Sequence, residues 1–209
     1  MDNSEPNVWV KLADEETIAR TAEALKQHGI EVFVVGNGEE ARKKVLELIP
    51  EGAEVLEASS TTMNEIGVTK EIEESGRYAS VRKMLHGIAD AEERGAMRRK
   101  HLAAPYAIGS VQAITEDGRL VTASASGSQI SVYAFDSQNV ILVASTNKIV
   151  KGLDEAIKRI NERALPLESK RVNEQYGWTQ GSYVGKLLVL ARDSPGRTKL
   201  ILVKEVHGF

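Results

Sequence analysis

The chain has 209 residues and a formal net charge of −3 at pH 7, which favours one domain with a sizeable core and argues against a general nucleic-acid binder. It contains no cysteine, so disulfides, thiolate metal sites, cysteine nucleophiles and an iron–sulfur cluster on its own thiolates are excluded. No apolar run approaches the ~20 residues of a membrane span, and the N-terminus lacks a signal-peptide pattern. We therefore expect a cytoplasmic protein without nucleic-acid or membrane partners.

The N-terminal part alternates helix and strand patterns. A helix is predicted after Asp14, a typical N-cap residue, and it is expected to end near Gly29. Strands predicted at 30–35 and 53–57 flank a helix over 39–49. Two strands joined by a helix of this length favour a right-handed parallel crossover, so the pattern predicts an α/β fold.

A hydroxyl-rich segment follows the second strand. Thr62 and Glu65 have the spacing of a capping box, which predicts that a helix begins there. The free backbone N–H groups and the hydroxyls at such a helix end are able to hold a phosphate or a carboxylate, although capping alone explains the composition. The candidate ligand-binding residues of this segment are Ser59, Ser60, Thr61 and Thr62.

A short helix at 67–76 and one long helix over 78–104 come next. The long helix carries a basic cluster made of Arg94, the run 98–100 and His101. Such a cluster is either a solvated helix face or a rim that attracts anions towards a cleft.

The centre of the chain contains the clearest local signal. Two β-rich segments, 111–115 and 119–123, are joined by the turn sequence Glu-Asp-Gly at 116–118. Asp-Gly supplies the positive φ angles of a tight hairpin turn. A small-residue run at 124–129 then leads towards an apolar strand at 140–144, which has the pattern of a strand buried on both faces.

Polar groups beside the hairpin and after this strand form the rest of the candidate site, because α/β sheets bind ligands at the carboxyl ends of their strands. If the hairpin points into a cleft, Glu116 is the candidate catalytic nucleophile or general base; otherwise these residues only make the turn. Backbone N–H groups of the glycine–serine loop would stabilise an anion, and an amide and a cation would bind a carboxylate or phosphate. The further candidate ligand-binding residues are Gly118, Ser126, Gly127, Ser128, Gln129, Asn147 and Lys148.

The C-terminal part returns to helix and then to strand. A helix that opens at Gly152 is expected to be broken by Pro166, and a helical arm with a turn-rich loop occupies 166–185. Two strands, 186–190 and 199–203, close the chain.

The whole pattern predicts a single domain over residues 1–209, with an N-terminal helical extension at 1–29. We expect a three-layer α/β/α fold around one twisted, mixed but mostly parallel sheet, because a hairpin is inserted among the crossovers.

Two standard site patterns are weak in this chain. The segment 36–38, Gly-Asn-Gly, follows a strand and precedes a helix as a dinucleotide fingerprint does. Glu39 and Glu40 would, however, place negative charge where the pyrophosphate should lie. The four histidines are far apart, so we expect no metal site.

Several motifs follow one another in a distinctive order. They are Ser-Ser-Thr-Thr at 59–62 with Glu-Ile-Gly at 65–67, Ala-Ile-Thr-Glu-Asp-Gly at 113–118, Ala-Ser-Ala-Ser-Gly-Ser-Gln at 123–129, Asn-Lys-Ile-Val at 147–150, Leu-Asp-Glu-Ala at 153–156, and Gly-Arg-Thr at 196–198 through to the final Gly-Phe. In these motifs the chain resembles the LUD domain family, the lactate-utilisation proteins of the LutC/YkgG type, over approximately residues 30–209.

The resemblance implies a NagB/RpiA/CoA-transferase-like fold, related to that of 5-formyltetrahydrofolate cyclo-ligase. It also implies a part in the oxidation of L-lactate to pyruvate, as a subunit beside iron–sulfur and flavin-type partner proteins. Some members of the family carry cysteines after the long C-terminal helix, where this chain has Gln-Tyr-Gly-Trp at 175–178. We therefore expect no cofactor bound by this chain itself, and CoA or a nucleotide stays open as a ligand.

Four functions remain open at this point. The first is a non-redox subunit or a component that binds a small anionic metabolite in lactate or organic-acid utilisation. The second is a CoA- or acyl-transferase that uses Glu116. The third is an enzyme like 5-formyltetrahydrofolate cyclo-ligase, and the fourth is a scaffold or regulatory protein. A homodimer is the default oligomer.

Overall fold

The computed structural model describes residues 8–209. Its ten strands, in chain order, are β1 (Glu31–Val35), β2 (Glu54–Glu57), β3 (Ala79–Ser80), β4 (Tyr106–Gly109), β5 (Ala113–Thr115), β6 (Leu120–Ser124), β7 (Asn139–Ser145), β8 (Ile149–Val150), β9 (Lys186–Leu190) and β10 (Thr198–Val203).

The α-helices in the same residues are α1 (Glu15–Gln27), α2 (Gly38–Glu47), α3 (Thr61–Glu65), α4 (Val68–Glu74), α5 (Val81–His86), α6 (Ala91–Lys100), α7 (Ser128–Ser131), α8 (Leu153–Arg159) and α9 (Leu165–Tyr176). Short 3₁₀ turns occupy Val8–Val10 and Thr146–Lys148, and π turns occupy Val132–Asp136 and Ile160–Ala164. None of the helices within residues 8–209 is long and apolar enough to cross a membrane.

The strands form two sheets. Six parallel strands lie in the order β1-β10-β7-β4-β2-β3, and four lie in the order β8-β5-β6-β9, in which β6 is antiparallel to both of its neighbours. The expected α/β fold with helices on a mostly parallel sheet is confirmed, but the single mixed sheet is divided into two. The hairpin strands pair with β8 and β9, so all the pairs of the large sheet stay parallel.

Strand β7 shows how the layers are held together. Val140, Leu142 and Ala144 belong to one core cluster, which also contains apolar residues of α1 and α5. Ile141 and Val143 belong to another cluster, formed with residues of α2 and α4. Because alternate side chains of a strand point to opposite faces, β7 is buried on both sides, as its unbroken apolar run predicts.

The small sheet has its own apolar layer. Ala113 and Val121 of the hairpin pack with Ala156 and Ile160 of the C-terminal helical segment. The same hairpin contributes Leu120 to the cluster that lies on the large sheet. The four-stranded sheet is therefore packed between the large sheet and α8.

Local geometry confirms two predicted features, the N-cap of α1 and the hairpin turn. The Asp14 carboxylate accepts a hydrogen bond from the Thr17 backbone N–H at 2.7 Å, which caps α1. Gly118 has φ of +86° in the turn of the predicted hairpin, and its N–H donates to the Thr115 carbonyl at 2.8 Å. Both interactions join residues close in sequence, which is why local patterns identify them.

The single helix predicted over 78–104 is wrong, because this region contains β3 and two helices. α5 ends before Gly87, and α6 begins after Asp90. The Asp90 carboxylate accepts a hydrogen bond from the Glu93 N–H at 2.7 Å. Asp90 is thus an N-cap inside the predicted helix, and capping there starts a new helix.

Pro166 does not break the C-terminal helix as expected. Helical structure continues from α8 through the π turn Ile160–Ala164 into α9, and Pro166 lies in the first turn of α9. In the π turn directly before Pro166 the Leu165 N–H donates to the Ile160 carbonyl, and this local change of hydrogen-bond pattern lets the helical structure continue past the missing N–H of the proline. The predicted arm at 166–185 therefore consists of α9 and the loop after it.

The N-terminal extension predicted at 1–29 lies partly outside the described residues. Its described helix, α1, places Ile18, Ala22 and Leu25 in the core cluster on the large sheet. This part of the extension therefore packs as a layer of the fold.

Candidate functional site

A cleft of about 480 Å³ lies at the carboxyl ends of three neighbouring parallel strands, β2, β4 and β7. The segment after β2 lines it with Ser59–Thr62, the residue after β4 lines it with Ser110, and the turn after β7 lines it with Lys148. Parallel strands that end together bring segments distant in sequence to one edge of a sheet. We call this space the cleft.

The Lys148 side chain is the most unusual feature of the cleft. It is only 1% exposed. Its ammonium donates hydrogen bonds to the Thr62 hydroxyl at 3.2 Å and to the Ser110 hydroxyl at 3.1 Å. Within residues 8–209 no carboxylate makes an ion pair with it, although Glu65 is near enough to act electrostatically. A buried cation without a carboxylate partner is costly, and an anion in the cleft would supply the missing charge.

Burial and the neighbouring charge of Arg159 both lower the pKa of Lys148. Burial, followed by the positive charge of Arg159, lowers the pKa of the Lys148 ammonium to about 7, and Glu65 opposes this change. Both factors disfavour the charged form. The lysine is therefore poised between its cationic and neutral forms near neutral pH.

Arg159 is a second buried positive charge, close enough to Lys148 to act on it electrostatically although it does not line the cleft. Its side chain is 0% exposed, and one amino group donates a hydrogen bond to the Gln112 carbonyl. Its Nε and its other amino group have no hydrogen-bond partner within residues 8–209. Burial, and then the neighbouring Arg163, lower the pKa of Arg159 to about 10. Two buried cations that act on each other, one of which lines the cleft, favour an anionic ligand.

The hydroxyl-rich segment predicted to bind ligand does line the cleft, with Ser59, Ser60, Thr61 and Thr62. The capping residue of α3 is Ser60, however, and not Thr62: the Ser60 hydroxyl accepts from the Met63 N–H at 3.2 Å. Glu65 accepts from the Gly208 N–H at 2.8 Å, so the predicted capping box is wrong. Thr62 is thereby left to contact Lys148.

The glycine–serine loop contributes Ser126, Ser128 and Gln129 to the lining of the cleft. Gly127 has φ of +89° between the two serines. Its N–H donates to the Ser124 hydroxyl at 3.0 Å, and the Gln129 amide donates to the Ala123 carbonyl at 3.2 Å. These donors hold the loop in shape, and the serine hydroxyls remain its polar groups on the cleft.

The hairpin turn lies against α1 and outside the cleft lining. Glu116 accepts a hydrogen bond from the Arg20 guanidinium at 2.6 Å. Gly118 packs on the α1 backbone at Ala24, and its carbonyl lies 2.8 Å from a ring nitrogen of His28. The structure therefore does not bring Glu116 and Gly118 together with Lys148.

We expect Glu116→Gln to leave ligand binding in the cleft unchanged. The substitution keeps the size of the side chain and removes only its charge, which faces Arg20 on an exposed surface. Exposed ion pairs contribute little to stability. Calorimetric titration of the purified variant with L-lactate, pyruvate and inorganic phosphate tests this, and a large loss of affinity would show that Glu116 belongs to the site.

Asn147 is also outside the cleft lining, although it directly precedes Lys148. Its side-chain amide donates to the Trp9 carbonyl at 2.7 Å, and the residue is 4% exposed. In the turn after β7, the lysine side chain thus lines the cleft, whereas the asparagine side chain contacts the N-terminal segment. Neighbouring residues in a 3₁₀ turn point in different directions, so sequence proximity does not place both in one site.

Sequence reasoning missed several lining residues. Ser110 follows a short strand, and no local pattern marks it. Tyr176, Trp178 and Tyr183 line the cleft from α9 and the loop after it; aromatic residues in a turn-rich loop are the signal that could have found them. Arg98, part of the predicted basic rim, is exposed and lines the cleft.

A smaller cavity of about 380 Å³ adjoins the cleft and shares Ser59, Arg98, Ser128, Gln129 and Tyr176 with it. Glu57 lines this cavity and is 8% exposed. Burial raises the pKa of the Glu57 carboxyl, and hydrogen bonds from the Ser80 hydroxyl and the Arg82 N–H oppose the rise.

The described residues contain no group of three metal-ligating side chains close enough together to hold a metal ion.

Several solved structures resemble this chain in architecture. A crystal structure of a duf162 family protein from Deinococcus radiodurans aligns with a TM-score of 0.57 and 11% identity, over 92% of this chain and 99% of that chain. At this identity the likeness shows the fold alone. It agrees with the three-layer α/β architecture described above.

Two further likenesses are weaker. A ribose-5-phosphate isomerase in complex with phospho-erythronic acid aligns with a TM-score of 0.37 and 10% identity, over 67% of this chain and 64% of that chain. eIF2B delta from Chaetomium thermophilum aligns with a TM-score of 0.39 and 12% identity, over 68% of this chain and 55% of that chain. These scores are too low to support an inference about this chain.

No curated protein matches the sequence. The model of the LUD domain family, in contrast, matches residues 18–208. This range includes the hydroxyl-rich segment, the glycine–serine loop and Lys148, and it spans nearly the whole described chain. The protein belongs to the LUD domain family.

Proposed function

We propose that the protein is a binding component of lactate or organic-acid utilisation whose cleft takes up a small anionic metabolite. Lys148 is the residue that receives the anion, and the hydroxyls of Thr62 and Ser110 hold its ammonium in place. The observation that carries the proposal is the burial of this cation without a carboxylate partner. A carboxylate or phosphate in the cleft would form with Lys148 the ion pair that no carboxylate within residues 8–209 provides.

The charge pattern supports this choice of ligand. Arg159 lies close enough to Lys148 to lower its pKa, and Arg98 lines the cleft as an exposed cation. Serine and threonine hydroxyls, which donate to carboxylate and phosphate oxygens, supply much of the polar lining. The chain has no cysteine, so any iron–sulfur chemistry in the pathway would belong to partner subunits.

The geometry offers no comparable support for transfer chemistry on Glu116. That carboxylate already accepts a hydrogen bond from Arg20 and does not line the cleft. A nucleophile has to reach the reacting atom of a bound substrate. The binding function is therefore the one that we propose to test by experiment.

Calorimetric titration with L-lactate, pyruvate and inorganic phosphate at pH 6 tests the proposal. We expect Lys148→Met to weaken the binding of the preferred anion by roughly tenfold to a hundredfold, because a hydrogen bond to a charged group contributes about 1.5–3 kcal/mol. Binding to the unaltered protein should also be weaker at pH 9 than at pH 6, since the ammonium loses its proton as the pH rises above about 7.

Lys43→Met is the matched control, because Lys43 is 73% exposed and lies outside the cleft lining, where it pairs with Glu39. The control should bind as the unaltered protein does. Equal affinity of the Lys148→Met and control proteins for every anion, or no binding of any of these anions to the unaltered protein, would contradict the proposal.

A further inference from the structure

The size of the cleft exceeds what a small acid requires. At about 480 Å³ it falls within the roughly 300–1,000 Å³ of sites that hold drug-sized ligands. A lactate-sized anion on Lys148 would leave most of this space unfilled. The chemistry of the remaining lining residues therefore indicates which other groups the ligand contains.

The part of the lining that comes from the C-terminal arm includes three aromatic residues. Trp178 is 51% exposed and Tyr183 is 64% exposed, and both line the cleft. Tyr176 is 52% exposed and also lines the cleft, and its ring lies 5.5 Å from that of Trp178 and 6.0 Å from the Arg171 guanidinium. Large aromatic side chains usually bury most of their surface. Aromatic rings left exposed in a concave site form a surface on which another flat ring can stack.

The cationic and aromatic groups belong to one cleft. Lys148, at the end of β7, and the rings of Trp178 and Tyr183, on the loop after α9, line the same space. Arg98 also lines it and is exposed, so the lining offers an anion a second positive charge besides Lys148. A ligand that matches this arrangement carries an anionic group and a planar ring.

We infer that the cleft binds an anion that bears a planar heteroaromatic ring, with a nucleoside monophosphate as the simplest representative. The inference rests on the proposed function for the position of the anionic group, at Lys148, and on the aromatic lining for the ring. In this arrangement the phosphate takes the place of the missing counter-ion of Lys148, and the base stacks on Trp178 or Tyr183. Such stacking tolerates different bases, because every base has a flat face.

Three probes separate the ring from the anion. AMP has both parts, ribose 5-phosphate lacks the base, and adenosine lacks the phosphate. We expect AMP to bind roughly tenfold or more tightly than ribose 5-phosphate in calorimetric titration, which is the contribution typical of one stacked base. The double variant Trp178→Ala, Tyr183→Ala should lose this preference and keep its affinity for ribose 5-phosphate.

Phe135→Ala is the matched control, because Phe135 is an aromatic residue that is 85% exposed and does not line the cleft. It should keep the preference for AMP. A second measurement uses Trp9→Phe, which leaves Trp178 as the only tryptophan of the chain. AMP should quench the fluorescence of this variant, and ribose 5-phosphate should not.

The two proposals fail in different ways. Equal affinities of the unaltered protein for AMP and ribose 5-phosphate, or a preference for AMP that survives in the double variant, would overturn the stacking site and leave anion binding on Lys148 intact. Binding of adenosine and AMP with equal affinity would show that the phosphate contributes nothing and would overturn the combined ligand. An absence of binding by all three probes would overturn the inference, while the titrations with small acids and phosphate would still decide the proposed function.

Discussion

Gly118→Val is expected to destabilise the protein by roughly 3 kcal/mol or more, which for a chain of this size lowers the melting temperature by roughly 6–12 °C. Gly118 has φ of +86°, a conformation that a β-branched residue resists. A Cβ atom at this position would lie 2.6 Å from the backbone carbonyl carbon of Ala24. The strain therefore has two sources, the turn itself and the helix on which the turn packs.

Gly52→Val separates these two sources. Gly52 has φ of +79°, but a Cβ atom there would meet nothing within 4 Å. This control should suffer only the conformational penalty and should be clearly more stable than Gly118→Val in thermal unfolding. If the two variants unfold at the same temperature, the contact between the hairpin turn and α1 is not tight.

Lys148→Met is expected to stabilise the protein at low pH and to remove a pH dependence. The pKa of Lys148 is about 7 in the folded protein, and that of an unfolded lysine is about 10.4. Below pH 7 both states are protonated, so the full cost of burying the charge is present. Between about pH 7 and 10 the unfolded state binds more protons, so the stability of the unaltered protein rises with pH, by at most about 1.4 kcal/mol per pH unit.

The surroundings of Lys148 tolerate this substitution. The Thr62 hydroxyl donates to the His207 carbonyl, and the Ser110 hydroxyl donates to the Val111 carbonyl, each at 3.3 Å. Neither hydroxyl loses its only partner when the ammonium is removed, and methionine fills a similar volume. We therefore expect Lys148→Met to exceed the unaltered protein in stability by a few kcal/mol at pH 6.

Denaturant unfolding at pH 6, 7, 8 and 9 measures both effects. The stability of Lys148→Met should approach that of the unaltered protein as the pH rises to 9. Lys43→Met, which alters an exposed lysine, should keep the pH slope of the unaltered protein. Parallel stability curves for Lys148→Met and the unaltered protein would show that Lys148 keeps the usual pKa of a lysine.

Gly118 and Lys148 also show which kinds of information the sequence holds. The Asp-Gly turn, the Asp14 cap and the doubly buried strand β7 were readable, because each depends on residues that are close along the chain. The same local rules were wrong where two signals compete within a few residues. Asp90 starts a new helix inside a helical pattern, and Ser60 takes the capping position predicted for Thr62.

Local sequence patterns could not predict that the strands divide into two sheets. β9 and β10 are close in sequence, yet β9 pairs with β6 in the small sheet and β10 lies between β1 and β7 in the large one. Strand patterns report which faces are apolar, and not which partner a strand finds. The same limit applies to the hairpin, whose turn packs on α1 and so removes Glu116 from the cleft.

The sequence by itself determined the fold class, the family and the segments whose ends meet at the carboxyl edge of the sheet, including the turn that carries Lys148. Only the tertiary structure decided what Lys148 contacts. Its hydroxyl partners, Thr62 and Ser110, lie 86 and 38 positions away along the chain, and the aromatic residues come from the C-terminal arm. Burial of a charge depends on all the surfaces packed around it, so this property exists only once the distant segments have come together.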